Sequence, residues 1–136
     1  MNNFTSLGVW QLAQNFFFKV HEISCHSALQ RDVYVKNELL RASLSIPLFI
    51  AEGAGMNKPE EFTDFLQKAR GSLDEVCSLL FVLEKIQPHL FPTLALRGEA
   101  AEIRLELNRV LQKLRSDKIQ NHLDASYGQV RPSDIK

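Results

Sequence analysis

The sequence predicts an all-α protein, an antiparallel up-down-up-down four-helix bundle, and three observations lead there. Four long stretches repeat their apolar residues at three- and four-residue steps, the period of a helix. Short connections separate them, marked by Gly at the second and Pro at the third. No stretch alternates apolar and polar residues in the manner of a half-buried strand. The 136 residues are enough for one hydrophobic core. Hydrophobic residues make up 45% and charged residues 24%, a balance that excludes a wholly disordered chain.

The first helix runs from about Leu7 to Ser24, with Trp10, Ala13, Phe17, Val20 and Ser24 along its expected inner face. Phe16, Phe17 and Phe18 are consecutive, and neighbouring helix positions point about 100° apart. One core face cannot cover all three, so the helix is either sandwiched or shows aromatic surface to another subunit. A second helix spans about Asp32 to Ala51, with Leu39, Ala42, Ser43, Ile46 and Ile50 on one stripe. Leu40, Leu44 and Leu48 make a neighbouring stripe, which leaves this helix apolar on more than one side. Pro47 inside it cannot donate to the Ser43 carbonyl, and a kink is expected. Gly53 and Gly55 then supply the backbone freedom that ends a helix.

Asn57 as cap, Pro59 in the first turn and Glu60 completing a capping box mark the start of the third helix. Its stripe of Phe62, Leu66, Ala69, Leu73, Val76, Leu80 and Leu83 reaches about Ile86, before a loop over 87–93 that holds Pro88 and Pro92. The fourth helix runs from about Leu94 to Lys118 with Ala100, Ile103, Leu107, Val110 and Leu114 inward. The bundle domain is expected over residues 1–123. A flexible tail is expected over 124–136, where the periodicity fades and Gly128 and Pro132 appear. Folding the second and third helices back about a turn near Met56 sets Gly71 opposite Ala42 and Arg41 opposite Asp74, an expected ion pair.

Chemistry-bearing motifs are sparse. Sixteen Lys and Arg against sixteen Asp and Glu leave no net charge, which excludes a strongly basic nucleic-acid binder but not a local patch. Cys25 and Cys77 are far apart with apolar neighbours and read as reduced, partly buried thiols of a cytoplasmic protein. No signal peptide and no membrane span are expected. His21, Glu22, Cys25 and His26 are the one cluster of metal-ligand types, yet zinc needs three or four converging ligands, so no metal and no cofactor is expected. Glu52 lacks a partner acid or base, Gly53-Ala54-Gly55 lacks the Lys-Ser/Thr of a phosphate loop, and no nucleophile has a base at hand. The chain is therefore not expected to be an enzyme. A basic surface remains on the fourth helix, with Arg104, Arg109, Lys113 and Arg115 as the candidate nucleic-acid contacts. Cations at a helix C-terminus also complement the macrodipole, and Glu60, Glu61 and Asp64 at the start of the third helix are expected nearby.

Several segments together resemble a known family. They are Val9-Trp10-Gln11-Leu12-Ala13, then Leu40-Arg41-Ala42-Ser43-Leu44-Ser45-Ile46-Pro47, then Ile50-Ala51-Glu52-Gly53. Glu61-Phe62, Phe65-Leu66 and Ala69-Arg70-Gly71-Ser72-Leu73-Asp74-Glu75 continue the series. The chain resembles, over about residues 7 to 116, the bacterial four helix bundle protein family, also labelled the ribosomal RNA intervening-sequence protein family. The resemblance implies a four-helix protomer assembling into a ring-shaped homopentamer. It also implies kinship with the accessory variability determinants of diversity-generating retroelements, which bind nucleic acid and a reverse transcriptase. This chain has Met56 where many relatives are polar, Phe49 where many have Asn, and no net charge where many are basic. The expected function is a non-enzymatic ring-forming scaffold that binds structured RNA or DNA through the fourth helix. The alternative is a protein-binding adaptor, such as an accessory subunit of a reverse transcriptase, using apolar surface near Phe18 or Phe49.

Overall fold

Apolar residues three and four positions apart form one continuous stripe only when the segment is helical, and four such stripes close on one another in this chain. The computed structural model describes residues 3–88 and 93–127. Its long helices are α1 (Gly8–Ser24), α2 (Val33–Gly55), α3 (Pro59–Ile86) and α4 (Thr93–Tyr127). Short 3-10 helices at Phe4–Ser6 and Ser27–Arg31 precede α1 and α2. No strand occurs among the described residues. Each helix packs on the next, α2 with α3 most extensively, and α1 closes the bundle against α4. That order places α2 and α4 on opposite corners.

The core is built from Val9, Phe16 and Val20 of α1, Leu39, Ile46 and Ile50 of α2, Leu66, Leu73 and Leu80 of α3, and Leu96, Ile103 and Leu107 of α4. On α2, α3 and α4 these are the stripes that the spacing predicts, although Val110 and Leu114 are only partly covered. On α1, Ala13, Val20 and Ser24 are buried as the spacing predicts, but Val9 and Phe16 are buried in place of Trp10 and Phe17, which are half-buried. The three phenylalanines divide as their angular spread requires, with Phe18 55% exposed.

Pro47 is buried inside α2 without ending it, and the helix continues to Gly55. The two glycines expected to stop α2 thus lie within it. Gly53 meets α3 so closely that a Cβ there would lie 2.7 Å from the Cβ of Phe65. Gly71, the residue expected at a close approach, has open space around it. Asn57 does not cap α3. It takes a left-handed conformation (φ 57°) in the turn, which asparagine tolerates better than most residues, and Lys58 becomes the N-cap residue without a side-chain hydrogen bond. Pro59 begins the helix, and Glu60 and Glu61 place negative charge in its first turn.

Polar pairs fix the register. The Ser45 and Ser72 hydroxyls share a hydrogen bond of 2.6 Å between α2 and α3. Gln87 Nε2 donates to the Ala28 carbonyl (3.3 Å) and to Asp32 Oδ2 (3.2 Å), fastening the end of α3 to the turn before α2. Glu84 accepts from Thr93 Oγ1 and Arg97 Nε, both at 2.9 Å, and holds the start of α4 against α3. α4 extends to Tyr127, past the expected domain end at 123, and residues 128–136 of the expected tail lie outside the described residues.

Candidate nucleic-acid interface

The four cations expected to contact nucleic acid all lie on α4, but the bundle treats them differently. Arg104 is half-buried and bonds Asp74 of α3, a contact that raises its pKa above the ordinary arginine value and ties it into the fold. Arg109 is exposed and bonds Glu106 one turn back on the same helix. Lys113 and Arg115 are exposed and enter no ion pair among the described residues. Of the four, these two have no ion-pair partner among the described residues.

The antiparallel pairing of α3 with α4 adds residues that the sequence pattern does not single out. A groove of about 650 Å³ runs between the first turns of α3 and the later turns of α4. Arg70, Arg115 and Lys118 line it together with Glu60 and Asp64. The expected meeting of acidic and basic ends therefore occurs, although no ion pair joins them. Arg70 instead donates to Asn108 Oδ1 at 3.0 Å. Its place in the groove follows from the α3–α4 register. Beyond Lys118, residues 119–126 are exposed, so α4 overhangs the start of α3 by nine residues, about 13 Å.

The expected Arg41–Asp74 pair is displaced by one residue. Arg41 bonds Glu75 at 2.6 Å and Glu38 at 2.8 Å, while Asp74 turns to Arg104. The hydrogen bond and charge of Arg41 hold the Glu38 carboxyl below its ordinary pKa. Neighbouring positions on α3 face different helices, and a sequence reading that pairs α3 with α2 alone cannot divide Asp74 from Glu75 between them.

The remaining candidates carry little chemistry. His26 Nδ1 accepts from the Ala28 backbone N–H and so serves as a cap. Cys25 and Cys77 are free thiols, and Cys25 is exposed rather than partly buried because it lies just beyond α1. No three His, Cys, Asp or Glu side chains among the described residues converge as metal ligands. No described helix is long and apolar enough to cross a membrane. Phe49 is half-buried, with its ring 6.3 Å from that of Phe65, and Phe18 is the more exposed of the two aromatics.

No curated protein and no solved structure matches the chain. Residues 5–116, by contrast, match the family described as 23S rRNA-intervening sequence protein. The match covers all of α1, α2 and α3 and most of α4, the stretch that builds the core and all of the groove lining but Lys118. The chain belongs to the 23S rRNA-intervening sequence protein family.

Proposed function

We propose that the protein is a non-enzymatic scaffold that assembles into a homopentameric ring and binds structured RNA or DNA through the later turns of α4. The observation that carries this reading is that Lys113 and Arg115, beside Arg109, are exposed with no ion-pair partner among the described residues, Arg115 sharing the groove with Arg70 and Lys118 as well as Glu60 and Asp64. One copy presents too few free cations to hold a polyanion well. A fivefold ring repeats them, and phosphate contacts made together raise affinity steeply. Membership of a family named for 23S rRNA intervening sequences supports the same direction.

The test is binding to structured RNA and to duplex DNA at about 50 and about 200 mM salt, with wild type and the double variant Arg109→Glu/Lys113→Glu. Affinity should fall as salt rises, and the double variant should lose at least about tenfold at low salt, the cost of roughly 1.4 kcal/mol. No binding by the wild type at low salt would remove the reading. The adaptor alternative, with a protein such as a reverse transcriptase seated near Phe18, would then take its place.

A further inference from the structure

The outer surfaces of α2 and α4 are unusual for helices that face away from a core. On α2, Leu44 and Leu48 lie four residues apart, turned away from buried Leu39, Ile46 and Ile50 and 41% and 53% exposed, while Leu40 one step earlier on the same stripe packs partly against the core. On α4, Leu94 and Leu105 are 73% and 64% exposed, and between them on the same face lie exposed Gly98 and Ala101. Nothing in the protomer occupies the space beside Gly98. One face is ridged with leucines, and the other has a shallow stretch between two leucines. A monomer gains nothing by showing either to water, and contiguous apolar surface of this kind marks a contact site.

The position of the two faces decides what kind of contact they suit. α2 and α4 are not neighbours in the bundle, so their outer faces lie on different sides of it. Both run antiparallel to α3 and hence parallel to each other. Arg41 bonds Glu75 and Arg104 bonds its neighbour Asp74, so these two arginines lie at nearly the same level. Setting the α2 face of a second copy on the α4 face of the first at this level brings Leu44 level with position 107, beside Leu105.

The charges beside the faces fit the same arrangement. Counting along both helices from the shared level brings Glu52 beside Arg115 and Lys36 within a turn of Glu102. The handedness of the helix puts the first pair on one flank of the contact and the second pair on the other. None of these four side chains has an ion-pair partner within its own copy among the described residues.

We infer that the outer face of α2 in one copy packs on the outer face of α4 in the next, joining copies head to tail. Resting on the ring reading above, this assigns the subunit contact to two different faces, as a closed ring requires. It has a consequence for nucleic acid. Arg115 is drawn toward Glu52 of the neighbour, and Lys113 stays turned outward as the phosphate contact, while Arg109 bonds Glu106.

Two single variants test it by light scattering at tens of micromolar, with circular dichroism to confirm that each is folded. Leu44→Glu spoils only the α2 face and Leu105→Glu only the α4 face. Each should fall from the wild-type assembly to the 15.5 kDa monomer. Mixed together they should form a one-to-one complex of twice that mass, because one sound face of each kind remains. Glu52→Arg or Arg115→Glu alone should weaken assembly, and the two together should restore it. A wild-type monomer would overturn the ring reading and this inference with it. A wild-type assembly that persists in either leucine variant, or a mixture that stays monomeric, would overturn the assignment of faces while the ring stands.

Discussion

A Cβ on Gly53 would lie 2.7 Å from the Cβ of Phe65 and 2.9 Å from the Cδ1 of Phe62. The first contact cannot be relieved by rotating a side chain, because a Cβ moves only with its backbone, so α2 and α3 would have to separate locally. Replacing glycine inside a helix by alanine otherwise gains about 1 kcal/mol, and overpacking a tight contact costs about 1–3 kcal/mol. The clash should win, and Gly53→Ala should lower Tm by a few degrees, roughly 3–6 °C for a net loss of about 1 kcal/mol. Gly71 supplies the contrast. It is exposed in the middle of α3, and a Cβ added there would meet no atom within 4 Å, so Gly71→Ala should raise Tm by a similar amount. A thermal melt of both variants checks the pair, and a stabilising Gly53→Ala would show that the helices can yield there. The sequence pattern points to Gly71 as the close approach because it ends α2 before Gly53. Which glycine touches a neighbour depends on the register of two helices to within one residue, finer than apolar spacing resolves.

At the scale of the helices, legibility follows the sharpness of each stripe. α2 and α3 have apolar positions at unambiguous intervals, and their buried faces are the ones the spacing predicts. α1 has three phenylalanines in a row, so several rotations bury nearly equal apolar area, and contacts from α2 and α4 select the one that covers Phe16. The turns are less legible still. Asn57 has the chemistry of a cap, yet the turn between α2 and α3 needs a left-handed residue and uses it there. Gln87 falls in an expected loop and has no motif around it, although its buried amide joins the end of α3 to the turn before α2. Removing that amide leaves the Ala28 carbonyl and the Asp32 carboxylate without this donor, a loss of about 1–2 kcal/mol. Gln87→Ala should therefore lower the urea midpoint without changing the slope of the unfolding curve, since the surface exposed on unfolding is nearly the same. A midpoint equal to wild type would mean that water replaces the amide at no cost.

For the whole molecule, the zero net charge and the local cationic surface make opposite demands, and salt dependence separates them. A neutral chain exerts little long-range pull on a polyanion, so binding must come from short-range phosphate contacts made in parallel. Arg104 is held by Asp74 and Arg109 by Glu106, so of the four candidates Lys113 and Arg115 have no ion-pair partner among the described residues. If Arg115 is engaged with Glu52 of a neighbouring copy, five copies offer about five of these candidate cations to phosphate, the Lys113 of each. The logarithm of affinity should then fall with the logarithm of salt at a slope no steeper than about −4.5 on duplex DNA. With Arg115 also on phosphate, the limit would be about −9. Measuring the slope for wild type and for Lys113→Gln uses the same assembly both times, since Lys113 takes no part in the proposed contact. A shallow slope that nearly vanishes in the variant fits a ring whose arginines hold its subunits and whose lysines hold its ligand. A steep slope that survives in the variant would return Arg115 to the nucleic acid and leave Glu52 without the partner assigned to it.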